Sequence, residues 1–217
     1  MPRISVSKVK LYWKKHGTLG LVKLAVLHIC LPFFSYHLHN FYGMSGLPRT
    51  QVQPRCLLDI RKGGPEDIGL IVDLRDDIDE ADVHKQVKDY FDNGGELFLG
   101  FSEGKLVHTA WLFYNLRISE IPFFVKIRKD EAYIGNCYTH PEFRGKNIYP
   151  VVLQHMLMDA AAKNKKRCFI TTIPINLASI RGIEKSGFSF VGKMRMFKLF
   201  GKFFNNQWDS SDTVKSD

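Results

Sequence analysis

Apolar and polar positions along this chain change period several times, and each change marks an element. Residues 132–139 alternate, with Tyr133, Gly135, Cys137 and Thr139 on one face and Ile134, Asn136 and Tyr138 on the other, which is the two-residue period of a strand. The period then lengthens. Val152, Leu153, Met156, Leu157, Ala160 and Ala161 recur at helical spacing until Asn164 and the Lys165-Lys166-Arg167 run end the pattern. Residues 168–173 return to strand character, and Asn176-Leu177-Ala178-Ser179 opens a short helix that ends at Gly187-Phe188. The result is a parallel strand–helix–strand unit with polar residues just past both strand ends, where ligands bind in open α/β sheets.

The segments before it read as follows. Residues 57–61 form a first strand, and Gly64-Pro65-Glu66-Asp67 is a helix start with proline at the first helical position and acids in the first turn. Val83, Val87, Tyr90 and Phe91 mark one face of a second helix, stopped by Asn93-Gly94-Gly95. Residues 97–101 and 106–117 flank Ser102-Glu103-Gly104-Lys105, a β-hairpin signal. After Phe188 a last strand pair is expected to run to about residue 204, with a disordered polar tail at 205–217. There is no internal repeat and no low-complexity tract.

The join between the strand at 132–139 and the helix after it carries the most chemistry. It reads Tyr138-Thr139-His140-Pro141-Glu142-Phe143-Arg144-Gly145-Lys146-Asn147-Ile148-Tyr149-Pro150. A tight turn entering a helix exposes consecutive backbone N–H groups, and the first helical turn adds about half a positive charge from its aligned peptide dipoles. A phosphate bound there needs few side chains, and Arg144 and Lys146 strengthen the field. Asn147 is the non-glycine residue type that best tolerates the left-handed region such a turn demands. Tyr149 has two open roles, packing within the helix or a hydroxyl bond to phosphate.

Composition narrows the surroundings. With 217 residues, 45% of them apolar, the chain has material for one core and an appendage. Cys30, Cys56, Cys137 and Cys168 are widely separated in apolar contexts, as reduced thiols of a cytosolic protein would be. No metal-ligand spacing occurs, and His37 with His39 reads as a surface strand rather than a zinc site. A net charge of +9 attracts polyanions of every kind, but no nucleic-acid-binding motif accompanies it, so nucleic acid is not an expected partner.

The basic residues gather at 1–23 and 144–167, and the first group belongs to a separate arm, residues 1–50. Lys8, Lys10, Lys14 and Lys15, with Tyr12 and Trp13, lead into an apolar stretch at 19–34 broken by Lys23, His28 and Pro32. Those breaks argue against a membrane span, and the lack of a small-residue cleavage site argues against a secretory signal. Two readings stay open for residues 1–43: an amphipathic helix on an acidic membrane surface, at the inner face of the membrane, or a helical arm packed on the body or on a second subunit of a homodimer.

Arg144, Gly145, Lys146, Asn147, Ile148 and Tyr149 stand where a phosphate signature of Arg or Gln, two residues, Gly, one residue, and Gly or Ala is read, with Asn147 and Tyr149 departing from its two small positions. Thr139-His140-Pro141 ahead of it, and Asn176 followed by Glu184-Lys185-Ser186-Gly187-Phe188 behind it, match in order and spacing. In these motifs, over residues 57–199, the chain resembles the GNAT superfamily of acyl-CoA-dependent N-acyltransferases. The resemblance implies an α/β (α+β) fold: a GNAT-like mixed, mostly antiparallel sheet with a central parallel strand pair splayed around acyl-CoA and flanked by helices, here with an N-terminal basic and apolar helical arm. Domain limits follow as 1–50 for the arm, 51–204 for the acyltransferase domain and 205–217 for the tail. Acetyl-CoA or another short-chain acyl-CoA is the implied co-substrate, without a metal. Cys137, Tyr138, Thr139, Arg144, Gly145, Lys146, Asn147, Ile148, Tyr149, Asn176 and Ser179 are its implied binding residues.

Catalysis departs from the family pattern. The tyrosine that many members place on the helix after the Asn, as proton donor to the departing thiolate, is Ile183 here. A thiol of pKa near about 8.5 leaves without great difficulty near neutral pH, so an acid is useful but dispensable. Positions used for a base in several members hold Tyr133 and Gly135; Tyr133 could relay a proton, although a core-edge aromatic is the plainer reading. His140, near the strand end on the opposite parity, is a second candidate. Thr139 adds a hydroxyl, and the backbone at 137–139 is implied to hold the pantetheine arm and polarise the thioester carbonyl.

The wording of residues 137–150 behind a basic leader looks like that of bacterial surface-polysaccharide acyltransferases, whose acceptor is a nucleotide-linked amino sugar. Ring oxygens lower the pKa of such an amine, which suits a site without a strong base. Trp111 and Tyr114 offer aromatic faces to a sugar or base, though sheet packing is the plainer role. Two alternatives stay open: a long-chain acyl donor presented at a membrane or carrier protein, and a non-catalytic acyl-CoA-binding module.

Overall fold

The computed structural model describes residues 17–18, 34–114, 127–199 and 202–210. Among these, 39–193 form one compact unit, and 34–38 with 194–208 belong to a second. The elements in chain order are β1 (Phe34–Ser45), β2 (Asp59–Gly63), α1 (Ile68–Leu74), α2 (Glu80–Asp92), β3 (Glu96–Ser102), β4 (Lys105–Phe113), β5 (Glu131–Thr139), α3 (Ile148–Ala162), β6 (Arg167–Thr172), α4 (Leu177–Lys185), β7 (Ser189–Leu199) and β8 (Lys202–Ser210). In the larger unit the strands lie in the order β2-β3-β4-β5-β6-β1-β7. The pairs β2–β3, β3–β4, β4–β5 and β1–β6 are antiparallel, and β5–β6 is parallel. This is the mixed, mostly antiparallel sheet with a central parallel pair that the sequence implies.

Helices cover both faces because the strands bury both. On one face α3 sets Ile148, Val152, Leu153, Met156 and Leu157 against Phe98, Ala110, Leu112, Ile134 and Ile170. On the other, α1 and α2 bring Ile71, Val83, Val87 and Tyr90 onto Leu97, Leu99, Trp111, Phe113 and Tyr133. Trp111 is 2% exposed and meets Tyr90, Phe91 and Phe113 at centroid distances of 5.0, 4.8 and 6.2 Å, so its role is sheet packing. Tyr114 is held in surface contacts, its hydroxyl donating to Glu96 at 3.2 Å and its ring facing Lys163 and Lys165.

The parallel pair opens partway along. β5 and β6 are in register only from Glu131 with Arg167 to Ile134 with Ile170, although β5 continues to Thr139 and β6 to Thr172. The cause lies at Asn136, whose φ of 45° places an extra residue in β5: Gly135 faces Trp111 and Tyr138 faces Thr109 across the ladder to β4. The Asn136 amide is pinned from outside the strand, donating to Gln86 Oε1 at 2.7 Å and Tyr90 Oη at 3.3 Å and accepting from Arg75 Nη1 at 3.3 Å. Beyond the bulge the strand's parity inverts. Tyr133 therefore faces α1 and α2, whereas Cys137 packs on the α3 side, and the single face expected for Tyr133, Gly135, Cys137 and Thr139 is split.

Three boundaries also change. Residues 34–45, read as part of a helical arm, form β1, whose Asn40–Ser45 stretch pairs with β6, so the sheet's own hydrogen-bonding edge claims that part of the arm. His37 and His39 lie in this strand. The tail expected to be disordered from 205 instead continues β8 to Ser210, where backbone pairing outweighs the polar side chains. The remainder of the arm (1–16 and 19–33), residues 115–117 of the expected hairpin strand and residues 211–217 lie outside the described residues.

Candidate active site

Beside the end of β5, beyond its pairing with β6, lies a cleft of about 890 Å³. Its walls are Cys137, Tyr138 and Thr139 from β5, the turn and first residues of α3, and Asn176 to Lys185 along α4. Asp76 and Asp77 from the loop after α1, and Arg55 from the segment before β2, complete the rim.

The turn is built as its residues dictate. Thr139 ends β5, Pro141–Phe143 make a 3-10 turn, and Gly145 (φ 78°) and Asn147 (φ 62°) take left-handed conformations on either side of Lys146. That alternation turns successive amides toward one side, and α3 begins at Ile148 with Asn147 as its N-cap. Among the described residues no acceptor meets the N–H groups of Gly145, Lys146, Asn147, Ile148 or Tyr149; the next donor, Val151, bonds to the Asn147 carbonyl at 3.2 Å. Pro150 has no N–H to leave unpaired. A row of free donors at the positive end of a fifteen-residue helix is an anion site.

The side chains around it divide by sign. Arg144, Arg181, Lys185 and Arg55 line the cleft as cations, Asp76 and Asp77 as carboxylates. Arg144 Nε donates to the Thr139 carbonyl at 3.1 Å, which holds the guanidinium at the strand end. Asp77 is held below the usual carboxylate range, chiefly by its hydrogen bonds from Arg75. The Tyr138 hydroxyl donates to Asp76 at 2.7 Å, and burial with that carboxylate pushes its pKa up to about 12. Lys146, expected at the phosphates, points elsewhere: its ammonium lies 4.3 Å over the Phe143 ring and it is not part of the lining.

Asn176 caps α4, its side-chain oxygen accepting from the Ser179 amide at 3.1 Å. Tyr149 crosses from α3 to α4. Its hydroxyl is 3.4 Å from Ser179 Oγ, and its ring occupies the space that a side chain at Gly182 would need, with Cδ1 2.5 Å from where a Cβ would stand. Burial raises its pKa well above the ordinary value, and burial likewise lifts the Cys137 thiol to about 12.

The catalytic candidates separate. Thr139 lines the cleft, and its hydroxyl lies 2.7 Å from Nδ1 of His108. His108 was not singled out by sequence; its only signal was an inward parity within 105–113. It is fully buried, and burial lowers its pKa to about 3. Tyr133 is 4% exposed on the far side of the bulge, hydrogen-bonded to Thr171 Oγ1 at 2.7 Å, with a pKa raised to about 12 by burial. Such a phenol is no base near neutral pH, and it does not reach the cleft. His140 also falls outside the lining, because its amide donates to the Val107 carbonyl at 2.9 Å and its ring turns edge-on to Phe143. Arg55, Arg75, Asp76, Asp77 and Arg181 are further residues that sequence reasoning missed. They come from segments distant in the chain and carry no local motif.

Residues 70–188, more than half of the chain, match the model of the acetyltransferase (GNAT) family. The chain belongs to that family. Among solved structures, a GNAT-family acetyltransferase from Colwellia psychrerythraea is 16% identical over 91% of this chain and 73% of its own, with a TM-score of 0.56. A ribosomal-protein-alanine N-acetyltransferase from Brucella melitensis is 16% identical over 65% of this chain and 99% of its own, at a TM-score of 0.50. A Clostridium acetobutylicum protein crystallised with acetyl-CoA is 21% identical over 61% of this chain and 90% of its own, at 0.46. At such identities the likeness is one of fold. No curated protein matches the chain. Within the GNAT fold, the unpaired end of β5 and the free amides at the head of α3 border the same cleft.

Proposed function

We propose that the cleft holds acyl-CoA with an acetyl or short acyl group, and that the enzyme passes this group to the amine of a nucleotide-linked amino sugar as a cytoplasmic step of bacterial surface-polysaccharide biosynthesis. One observation carries the coenzyme half: the turn at Gly145 to Tyr149, whose amides are free, adjoins a cleft rimmed by Arg144, Arg181 and Lys185. A diphosphate has the charge and the number of acceptors to engage them. Beyond Ile134 the β6-side edge of β5 has lost its ladder partner, and an extended arm bearing amides, as pantetheine does, can pair there like an added strand.

Direct attack suits these residues. The amine lone pair adds to the thioester carbonyl carbon, the tetrahedral intermediate collapses, and the C–S bond breaks with its electron pair on sulfur. The nitrogen gives up its proton to water, and the thiolate is reprotonated from water. A relay through Cys137 is disfavoured, since a thiol lifted to about 12 supplies almost no thiolate. Alignment of amine and thioester is the main source of acceleration, worth on the order of 7–11 kcal/mol in well-oriented cases.

The acceptor half rests on the lack of a strong base among the described lining residues. Asp76 accepts from the Tyr138 hydroxyl, and Asp77 is held by Arg75, which keeps its carboxylate below the usual range. An amine whose pKa is lowered by neighbouring ring oxygens arrives neutral and needs no strong base. The test is thiol release from acetyl-CoA and longer acyl-CoAs against a panel of aminodeoxy nucleotide sugars. Release with those sugars and not with polyamines or peptides is the expected result. Release only with other amines removes the sugar acceptor, and tight acetyl-CoA binding with no release on any amine leaves a binding module. A requirement for long chains would move the donor to the membrane or a carrier.

A further inference from the structure

Residues 50–56, a strap without regular secondary structure, run over the head of α3 and are tied down there at successive points. Gln154, 5% exposed on α3, accepts the Val52 amide at Oε1 (2.8 Å) and donates from Nε2 to the Thr50 carbonyl (2.8 Å) and to the Ser186 carbonyl (3.4 Å). Asn147, the N-cap, donates from Nδ2 to the Gln53 carbonyl at 3.0 Å while its Oδ1 accepts from Lys185 Nζ at 2.9 Å. The Arg55 amide donates to the Lys146 carbonyl at 2.8 Å. The strap is thus bonded to the same turn whose amides are free, and a buried glutamine spends its acceptor and one donor on it, the other donor going to Ser186.

What this backbone anchoring presents is Arg55. Its side chain is exposed on the cleft lining, and its guanidinium makes no hydrogen bond or ion pair among the described residues. Two other arginines of this unit are taken up by carboxylates: Arg61 is bidentate on Asp67 and Arg75 on Asp77. A planar donor fork fixed through its main chain beside a row of free amides, with no carboxylate on it, suits a phosphate.

We propose that the strap is part of the coenzyme site, with Arg55 a phosphate-binding residue and Gln154 the positioning residue that fixes it from beneath. The inference rests on the acyl-CoA reading above. It explains why a polar side chain is buried on the apolar face of α3.

Calorimetric titration of the full chain with acetyl-CoA, its 3′-dephospho form and S-acetyl-pantetheine tests it. Arg55→Ala is expected to weaken acetyl-CoA about ten-fold and to leave the phosphate-free thioester unchanged, with Arg55→Lys recovering only part of the loss. A loss that persists with the dephospho form puts the guanidinium on the diphosphate, and one that vanishes puts it on the 3′-phosphate. Gln154→Met should raise KM for acetyl-CoA at unchanged kcat and add little on top of Arg55→Ala, because both act on one contact. Full additivity would overturn the positioning role. Unchanged affinity in Arg55→Ala, with Arg144→Ala weakened, would overturn the inference and leave the coenzyme reading standing. If the unaltered protein binds no acetyl-CoA, both fall.

Discussion

His108 Nδ1 and Thr139 Oγ1 lie 2.7 Å apart, joining β4 to the last residue of β5 before the turn into α3. The imidazole is fully buried between this hydroxyl and the Tyr149 ring, 5.9 Å away, and its Nε2 has no hydrogen-bond partner among the described residues. Folded, the ring gains its proton only near pH 3; unfolded, it does so near 6.5. Between those values the unfolded chain holds the extra proton, so stability from this group is complete above pH 6.5 and drains away as pH falls toward 3. At pH 5 the loss is on the order of 2 kcal/mol. Urea unfolding at pH 7 and pH 5 should show a larger drop in midpoint for the native protein than for His108→Leu. Equal drops would mean the ring is not buried neutral.

Arg144 and Lys146 carry the same charge but face different surroundings. Arg144→Ala should weaken acetyl-CoA binding about ten-fold, while Lys146→Ala, whose ammonium rests on Phe143, should stay within about three-fold. Calorimetry on both single variants decides it, and equal losses would bring Lys146 back to the phosphates.

Tyr149 and Gly182 are sterically coupled. Alanine at an interior helix position ordinarily gains on glycine by about 1 kcal/mol, yet a Cβ at 182 would stand 2.5 Å from Tyr149 Cδ1. Gly182→Ala should therefore cost about 1–3 kcal/mol in the native background and stabilise the Tyr149→Ala background. Chemical denaturation of the four proteins closes this cycle, and the same sign in both backgrounds would disprove the clash.

Cys137 tests the route of transfer. With its thiol near pKa 12, Cys137→Ala should keep kcat/KM within about five-fold, and mass spectrometry of protein mixed with acetyl-CoA should find no acylated cysteine. A trapped acyl-cysteine would replace direct attack with a two-step exchange.

Asn147's tolerance of left-handed backbone is legible because it is a property of a single residue, and Asn147 adopts that conformation. The stripe of α3 was legible because one face packs on one sheet, as Val152, Leu153, Met156 and Leu157 do. The alternation expected for β5 breaks at Asn136, whose amide is held by Gln86, Tyr90 and Arg75, from far earlier in the chain. Tyr133 and His140 fell out of the site for related reasons. A parity inversion and an amide bond to Val107 are not written in the residues themselves.

By itself the sequence determined the strand–turn–helix that exposes the amides of residues 145–149, since helical period, proline placement and left-handed tolerance are short-range effects. Only the tertiary structure decided what surrounds those amides: Arg55 on its strap, Asp76 and Asp77 on the rim, neutral His108 behind Thr139, and Tyr149 wedged against Gly182. Those relations depend on burial and on hydrogen bonds between segments far apart in the chain. Such forces act through space, and a linear pattern of residue types does not encode which of them will meet.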